Sequence, residues 1–149
     1  MGRINPPGHL RLAQAMPGFL ELTFAGAEAN VAASVAMLGG NARFVSALPR
    51  NVLGDACVRT LRGLGVDTSQ ILRTNYGRLG LYFVEKGANQ RPSQVVYDRD
   101  HSSIARSGPA AYDWNAAFAG ASWLHTTGIT AALSRLSFDS VLAAVRAAK

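Results

Sequence analysis

Three segments of this sequence carry residue types that could bind a polar small molecule. In the first, Gly26–Asn30, small residues, Glu28 and Asn30 stand at the start of an alanine-rich helical pattern. The first turn of a helix presents unpaired N–H groups and the positive end of the helix dipole. Small side chains there let a ligand reach the backbone, so the segment is a candidate binding site. A tight loop-to-helix junction is the alternative interpretation.

The second and third segments supply phenols, a guanidinium and hydroxyls. Tyr82, Tyr97 and Arg99 fall on two β-rich runs, and Thr126–Thr130 follows an apolar run. A planar guanidinium can bind a carboxylate through two hydrogen bonds, and hydroxyl groups can bind other hydroxyls. The alternatives are an ion pair of Arg99 with an aspartate on either side of it, cross-strand packing of the tyrosines, and an ordinary turn in the third segment.

The small-residue segment matches neither of two common phosphate-binding motifs. No Lys-Ser/Thr pair follows its glycine, as a Walker loop requires, and the three-glycine dinucleotide fingerprint is absent. The net charge of +6 is spread over single arginines, which fits an anionic small ligand, a nucleic acid or a solvated surface. We expect no nucleic-acid partner; that alternative requires one continuous face formed by Arg43, Arg50, Arg59, Arg62 and Arg73.

An alternation of strands and helices must position these segments. A change to β-rich texture in the middle predicts a hairpin inserted into an α/β layer. Before the hairpin, the pattern predicts a buried helix with Val31, Val35 and Leu38 that stops at Gly39-Gly40, a strand over Ala42–Leu48, and a helix with Ala56, Val58, Leu61 and Leu64. The hairpin places Tyr82 and Val84 opposite Val95 and Tyr97. After it, the pattern predicts a short helix from about Asp113, a strand over Ala121–Gly128, and a last helix with Phe138, Val141, Leu142 and Val145.

Length and composition favour one soluble globular domain. The chain has 149 residues, of which 48% are hydrophobic and 16% charged. No apolar run approaches the roughly 18 residues of a membrane span, and the N-terminus lacks the apolar core of a signal peptide. We therefore expect a cytoplasmic protein without a membrane partner. Cys57, the single cysteine, is predicted to be a buried small hydrophobe.

The stretch from Ala25 to Ile71 closely resembles the first signature region of the ribokinase-like (PfkB) carbohydrate kinases. The Gly-Gly-x-x-x-Asn motif of that family is matched by Ala25, Gly26 and Asn30, and a later Gly-Asp pair is matched by Gly54-Asp55. The runs "GRLGLYFVEKGANQRPSQVVYDRDHSSIA" and "GITAAL" are similar to the branch of the family that phosphorylates 2-keto-3-deoxygluconate. The resemblance covers essentially the whole chain.

The resemblance implies a role for each candidate residue. Gly26 and Asn30 would hold sugar hydroxyls, Tyr82 and Tyr97 would line the lid side of the pocket, Arg99 would face the substrate carboxylate, and Ile129 would contact the substrate through its backbone. Glu28 is interpreted as a helix N-terminal cap or a lid-pairing group rather than as an acid catalyst. No catalytic residue and no metal ligand is assigned to this chain.

Two departures from the family pattern limit what the chain can do. The family's Gly-Ala-Gly-Asp anion-hole motif, which carries the catalytic Asp, occurs nowhere in the sequence. By comparison with the family, we also expect the N-terminus to begin where the first core strand should be finishing. ATP and Mg²⁺ serve the full-length family, and we expect neither to bind this chain alone. At Ala25 the first motif glycine is replaced, which the backbone tolerates only at negative φ.

The sequence therefore predicts an α/β fold: the N-terminal half of a ribokinase-like domain, with a parallel sheet, flanking helices and a small β lid. Residues 1–149 form one portion of that domain, with lid strands at about 10–25 and 78–100. The expected parent reaction is ATP-dependent phosphorylation of 2-keto-3-deoxygluconate at its 6-hydroxyl, by a homodimer that associates through its lid strands. The alternatives are a non-catalytic dimerising fragment and a kinase for another sugar such as fructose or ribose.

Overall fold

The structure, a computed structural model, describes residues 1–149. Its strands are β1 (Gly2–Asn5), β2 (Glu21–Phe24), β3 (Ser46–Pro49), β4 (Ile71–Thr74), β5 (Leu81–Glu85) and β6 (Gln94–Asp98). Its helices are α1 (Leu12–Ala15), α2 (Ala27–Met37), α3 (Val52–Gly63), α4 (Ser103–Arg106), α5 (Trp114–Phe118), α6 (Gly128–Ala131) and α7 (Arg135–Ala147), with a 3₁₀ turn at Pro109–Ala111. None of the helices is long and apolar enough to cross a membrane.

The strands form two sheets. The larger has the order β2-β1-β5-β6, in which β1 and β5 run parallel and the two outer pairs run antiparallel. The smaller consists of the parallel strands β3 and β4. The predicted hairpin is confirmed as β5 and β6, with Tyr82 opposite Tyr97 and Val84 opposite Val95. Parallel strands, flanking helices and an added hairpin confirm the α/β fold class.

The four-stranded sheet contains the segments that the sequence assigned to lid strands. Within residues 10–25, only Glu21–Phe24 is a strand, and Leu12–Ala15 is a short helix. Gly2–Asn5, which the sequence suggested to be the end of a core strand, lies between β2 and β5. A second exposed strand edge therefore lies at β2, opposite the edge at β6.

The hydrophobic core lies where α3 packs on β3 and β4. It is built from Leu48, Cys57, Leu61, Val66, Ile71 and Leu79. Cys57 is 4% exposed, so the prediction of a buried small hydrophobe is confirmed, and burial raises the pKa of its thiol. A thiol with a raised pKa carries little thiolate, the reactive form.

Helix α3 begins where the sequence supplies a cap and a close contact. The Asn51 side chain accepts hydrogen bonds from the N–H groups of Leu53 and Gly54, at 3.1 and 3.0 Å. A Cβ on Gly54 would collide with the carbonyl oxygen of Pro49. Gly54 of the family motif is therefore explained by close packing between the start of α3 and the end of β3.

The prediction that α2 is a buried helix is wrong. None of its residues is fully buried, and Val31, Val35 and Leu38 are 38%, 40% and 88% exposed. The alanine face of α2, which comprises Ala29, Ala32, Ala33 and Ala36, packs against the core, while no element of the chain covers the valine and leucine side. The helix ends before Gly39, as predicted, and that glycine has a φ of +86°.

The predicted strand over Ala121–Gly128 is also wrong. Residues 121–127 are irregular and join neither sheet. The peptide groups of residues 122–127 make no hydrogen bond with another peptide group, and Trp123 is 85% exposed. A strand requires a ladder partner, and this segment has none despite its apolar composition.

The last predicted helix is confirmed as α7, but serines rather than its apolar residues form the buried contact. Ser137 and Ser140 are 1% and 7% exposed, whereas Phe138 and Leu142 are 46% and 37% exposed. The hydroxyls of Ser137 and Ser140 donate to carbonyl oxygens in and just after α4, at 3.1 and 3.2 Å. Small hydroxyl side chains let the two helices approach closely and satisfy carbonyl groups at the end of α4.

Most of the arginines that a nucleic-acid surface would need are held by internal contacts. Four of the five side chains named in that alternative donate hydrogen bonds within the chain: Arg43 to Asp67, Arg50 to the carbonyl of Arg73, Arg62 to Thr68, and Arg73 to Asp55 and Pro49. The nucleic-acid alternative therefore gains no support from these side chains.

Arg43 links α5 to the segment before β4. Its guanidinium donates to Asp67 at 2.8 Å and to the carbonyls of Ala116, Ala117 and Ala119 at 3.0 to 3.1 Å. The hydrogen bond from Arg43, with bonds from the backbone and hydroxyl of Ser69, lowers the pKa of Asp67 from 3.8 to about 2.

Replacing Arg43 with methionine is expected to lower the free energy of unfolding by about 1 to 2 kcal/mol at neutral pH, because charged hydrogen bonds at a partly exposed site are lost. Because the pKa of Asp67 is depressed, its contribution to the free energy of unfolding is present above its ordinary pKa and is lost as the pH falls through about 2. Urea unfolding at pH 7 and pH 2 measures both effects. Arg59→Met, which removes an arginine without internal hydrogen bonds, is the control, and an equal loss in both variants at pH 7 would contradict this account.

Candidate ligand-binding site

An open cavity of about 1360 Å³ lies between the four-stranded sheet, α2 and the C-terminal helices. The structure brings together there all the residues selected from the sequence, although they come from three distant segments. They are Gly26, Asn30, Tyr82, Tyr97, Arg99 and Ile129. A common cavity is what a common binding site requires, and the roles of these residues toward a ligand remain predictions.

Gly26 and Asn30 form the wall at the start of α2. Gly26 has an extended backbone with a φ of 165°, and a Cβ there would meet only the Cβ of Ala29, at an ordinary 3.8 Å. Neither backbone conformation nor internal packing therefore requires a glycine, which leaves the open space in front of it as the reason. The Asn30 side-chain oxygen lies 3.4 Å from the Gly26 N–H, and its amide nitrogen has no partner within the chain. Ala25 is not among the residues with positive φ, so replacement of the first motif glycine is tolerated.

Tyr82 and Tyr97 form an aromatic pair on neighbouring strands. Their ring centroids are 6.0 Å apart and the rings are tilted by 32°. Cross-strand packing therefore does occur, as one alternative interpretation proposed. Neither phenol makes a hydrogen bond within the chain, and burial raises the pKa of Tyr82. Neither hydroxyl has a partner in the chain, so both are available to a ligand.

Arg99 makes no ion pair and no hydrogen bond through its side chain. Its guanidinium carbon lies 4.4 Å from the centre of the Tyr97 ring. Asp98, a possible partner suggested by the sequence, pairs instead with Arg78, and Asp100 makes no ion pair. The alternative that Arg99 pairs with a neighbouring aspartate is therefore wrong. A cation without an anionic partner lines the cavity.

Ile129 lies at the start of α6, where its backbone N–H already has a partner. The hydroxyl of Thr127 accepts the Ile129 N–H at 3.2 Å and caps the helix. The carbonyl oxygen of Ile129 accepts no hydrogen bond. A backbone contact with a ligand would therefore use the carbonyl oxygen rather than the N–H.

Glu28 is a cavity residue that the sequence did not assign to the binding site. One of its carboxylate oxygens accepts hydrogen bonds from the Thr127 N–H at 3.2 Å, the Thr127 hydroxyl at 2.6 Å and the Thr130 hydroxyl at 2.8 Å. The suggested pairing with the lid is therefore wrong. Burial raises the pKa of Glu28, but these bonds and its own backbone N–H outweigh burial and hold the pKa below 4.5. Partners 99 residues away leave no local signal in the sequence.

The groups around the cavity can bind a ligand that carries several hydroxyls and one negative charge. Phenols, an amide and a carbonyl oxygen suit hydroxyl groups, and a guanidinium suits a carboxylate. No group of three or more His, Cys, Asp or Glu side chains in this chain could hold a metal ion. The arrangement is therefore suited to recognising a polar anion.

The fold and the cavity define an α/β protein with a candidate small-molecule site beside a mixed β-sheet. Residues 16–149 match the family model described as pfkB family carbohydrate kinase, so the chain belongs to that family. The family resemblance found in the sequence is confirmed.

Two of the similar curated proteins come from Haloferax volcanii and Thermoproteus tenax. The chain is 37% identical over 136 residues to the 2-dehydro-3-deoxygalactonokinase of Haloferax volcanii, covering 90% of this chain and 41% of that protein. It is 33% identical over 129 residues to the 2-dehydro-3-deoxygluconokinase of Thermoproteus tenax, covering 86% of this chain and 38% of that protein. The chain thus spans about two fifths of the length of these curated relatives.

Solved structures share the fold. The crystal structure of 2-dehydro-3-deoxygluconokinase from Thermotoga maritima superposes with a TM-score of 0.94 and is 44% identical, covering 99% of this chain and 44% of that chain. An uncharacterised sugar kinase from Pyrococcus horikoshii, solved with ATP, superposes with a TM-score of 0.66 at 22% identity, covering 77% of this chain and 36% of that one. The second match supports the fold alone.

Proposed function

We propose that this chain is the sugar-acid-binding part of an ATP-dependent kinase that phosphorylates 2-keto-3-deoxygluconate at its 6-hydroxyl. The observation that carries the proposal is Arg99, a half-buried residue of the cavity whose guanidinium makes no ion pair and no hydrogen bond inside the chain. Desolvating a charge without a partner is unfavourable, so an anionic ligand is the natural complement. The names of the Thermoproteus and Thermotoga relatives support the same substrate class.

Each of the remaining site residues has a task that its geometry permits. The space in front of Gly26 admits the carbon chain of the sugar acid, and the free amide nitrogen of Asn30 donates to a hydroxyl. The phenols of Tyr82 and Tyr97 lie beside Arg99 and bind hydroxyls near the carboxylate. The Ile129 carbonyl oxygen accepts a hydrogen bond from a further hydroxyl of the substrate. These contacts orient the substrate but transfer no proton or phosphoryl group.

We expect neither ATP nor Mg²⁺ to be held by this chain alone. The sequence contains no Gly-Ala-Gly-Asp motif, the anion-hole motif that the family resemblance associates with the catalytic Asp. Phosphoryl transfer requires a positioned nucleotide, a metal ion and stabilisation of the transferred group. We therefore assign to this chain substrate binding and orientation, and no step of the transfer.

The test is calorimetric titration of the chain with 2-keto-3-deoxygluconate, with its 4-epimer and with a neutral hexose such as fructose. Tighter binding of the two acids than of fructose is the expected result, because only the acids carry a partner for Arg99. The 4-epimer is included because the Haloferax relative is named for the galactonate form. Equal affinity for fructose and the acids would favour a kinase for a neutral sugar.

A second role, self-association, is favoured by the exposed outer strand of the larger sheet. All five residues of β6 are exposed, and Val95, Val96 and Tyr97 are 45%, 57% and 57% exposed. An unpaired apolar strand edge favours pairing with another strand. We propose that two copies of the chain associate through this sheet, either with sugar binding or, in the alternative, without it.

Sedimentation velocity is expected to show a dimer that Val96→Lys converts to a monomer, because a lysine on an edge strand opposes pairing. The control is Val145→Lys, which adds the same charge to α7 at a position 39% exposed. A monomeric wild-type chain at high concentration would refute association. A dimer broken equally by both substitutions would place the interface elsewhere.

A further inference from the structure

We propose that Glu28 is a positioning residue that fixes the segment Thr126–Thr130 against the start of α2. It thereby sets the distance between two walls of the sugar site, Gly26 and Asn30 on one side and Ile129 on the other. The inference rests on the proposed function for the identity of the ligand. The connection itself rests on geometry alone.

The connection consists of three hydrogen bonds to one carboxylate oxygen. Glu28 stands in the first turn of α2, and its donors are the backbone and hydroxyl of Thr127 and the hydroxyl of Thr130. The Thr127 hydroxyl also accepts the N–H of Ile129, so a continuous chain of hydrogen bonds joins Glu28 to Ile129. Through these bonds, a shift of α2 would move the start of α6 with it.

Apart from the bonds to Glu28 and the local bond from the Ile129 N–H to the Thr127 hydroxyl, residues 122–127 make no hydrogen bond. They make no peptide-to-peptide hydrogen bond and join no sheet, and the only bond from a peptide N–H among them runs from Thr127 to Glu28. A segment of this kind opens at low free-energy cost unless side chains restrain it. The side chain of Glu28 provides that restraint.

An ionised carboxylate suits this task better than a neutral side chain. Its charge lies at the positive end of the α2 dipole, and charge-assisted hydrogen bonds are roughly twice as strong as neutral ones. An amide oxygen has the same position but no charge and presents N–H₂ in place of the second oxygen. Glu28→Gln should therefore preserve part of the connection, and Glu28→Ala should remove it.

Two measurements on the chain test the proposal. Amide hydrogen exchange followed by NMR should be about ten-fold faster or more at Thr127 and Ile129 in Glu28→Ala, because the local opening free energy falls. Calorimetric titration should show about ten-fold weaker binding of 2-keto-3-deoxygluconate, which corresponds to about 1.4 kcal/mol. Glu28→Gln should lie between wild type and Glu28→Ala in both. The control is Asp139→Ala, which removes a carboxylate from α7 that pairs only with Arg135.

Each other outcome overturns part or all of the proposal. Unchanged exchange in Glu28→Ala would show that Glu28 does not restrain the segment. Faster exchange with unchanged affinity would show that the restraint does not serve the site, and lost affinity with unchanged exchange would indicate direct contact between Glu28 and the ligand. If the wild-type chain binds no sugar acid, the proposed function fails by that result, and the exchange rates alone decide whether the connection exists.

Discussion

Replacing Arg99 with alanine is expected to weaken binding of 2-keto-3-deoxygluconate by roughly 10- to 150-fold and to leave binding of fructose within about two-fold. The acid loses a charge-assisted hydrogen-bond partner worth about 1.5 to 3 kcal/mol, and each 1.4 kcal/mol is about ten-fold in affinity. Fructose has no carboxylate, so it loses only packing. Titrating both ligands into wild type and variant gives the comparison.

The structure explains why this effect should be large for a single side chain. Arg99 lies over the Tyr97 ring and has no competing anion, because Asp98 is occupied by Arg78. An incoming carboxylate therefore does not have to displace an existing ion pair. Affinity for the acid should also fall as salt is added, because ions screen a partly exposed charge pair.

Two variants make the interpretation of Arg99→Ala specific. Arg99→Lys retains the charge without the planar pair of donors and should recover only part of the affinity. Arg59→Ala removes an arginine that makes no hydrogen bond in the chain, and it should change the affinity for neither ligand. Equal losses of acid and fructose in Arg99→Ala would mean that Arg99 only supports the sheet. The sugar-acid assignment would then be withdrawn in favour of a general carbohydrate kinase.

The residues predicted for the site all line one cavity because they belong to motifs that the sequence shows. Gly26 and Asn30 stand at the start of a recognisable helix, and the hairpin register that places Tyr82 opposite Tyr97 follows from alternation of apolar residues. These are local signals, and local signals predict helices and hairpins well. The cavity that joins the segments is a property of the whole fold.

Partner choice and burial were not predictable from spacing. Glu28 bonds residues 99 positions away, and Arg78 rather than Arg99 takes Asp98, because three-dimensional distance decides both pairings. The apolar pattern of α2 predicted burial, yet within this chain only its alanine face is covered. The same pattern over Ala121–Gly128 predicted a strand that has no neighbour to pair with. Hydrophobic periodicity identifies which face could be buried, but what covers that face depends on the other elements.

Incubated with ATP, Mg²⁺ and 2-keto-3-deoxygluconate, the 149-residue chain is expected to form no phosphorylated product above the uncatalysed background. The proposed site would recognise the acceptor, but the sequence contains no Gly-Ala-Gly-Asp motif to assist the transfer. Phosphoryl transfer depends almost entirely on positioning and electrostatic stabilisation, so the loss of those groups removes nearly the whole rate enhancement. A coupled assay for ADP and direct detection of the 6-phosphate measure the outcome.

The matched experiment joins this chain to the remaining part of the Thermotoga maritima kinase. The superposition on that kinase covers 99% of this chain. Turnover should appear in the joined protein. Arg99→Ala should raise its KM for the sugar acid more than it lowers kcat, because the carboxylate proposed to bind Arg99 lies at the other end of the substrate from the 6-hydroxyl. Turnover by the 149-residue chain that is equally fast in its own Arg99→Ala variant would indicate a contaminating kinase. Turnover that disappears with Arg99 would instead show that this chain carries out the transfer itself, and the division between a recognising part and a transferring part would be wrong.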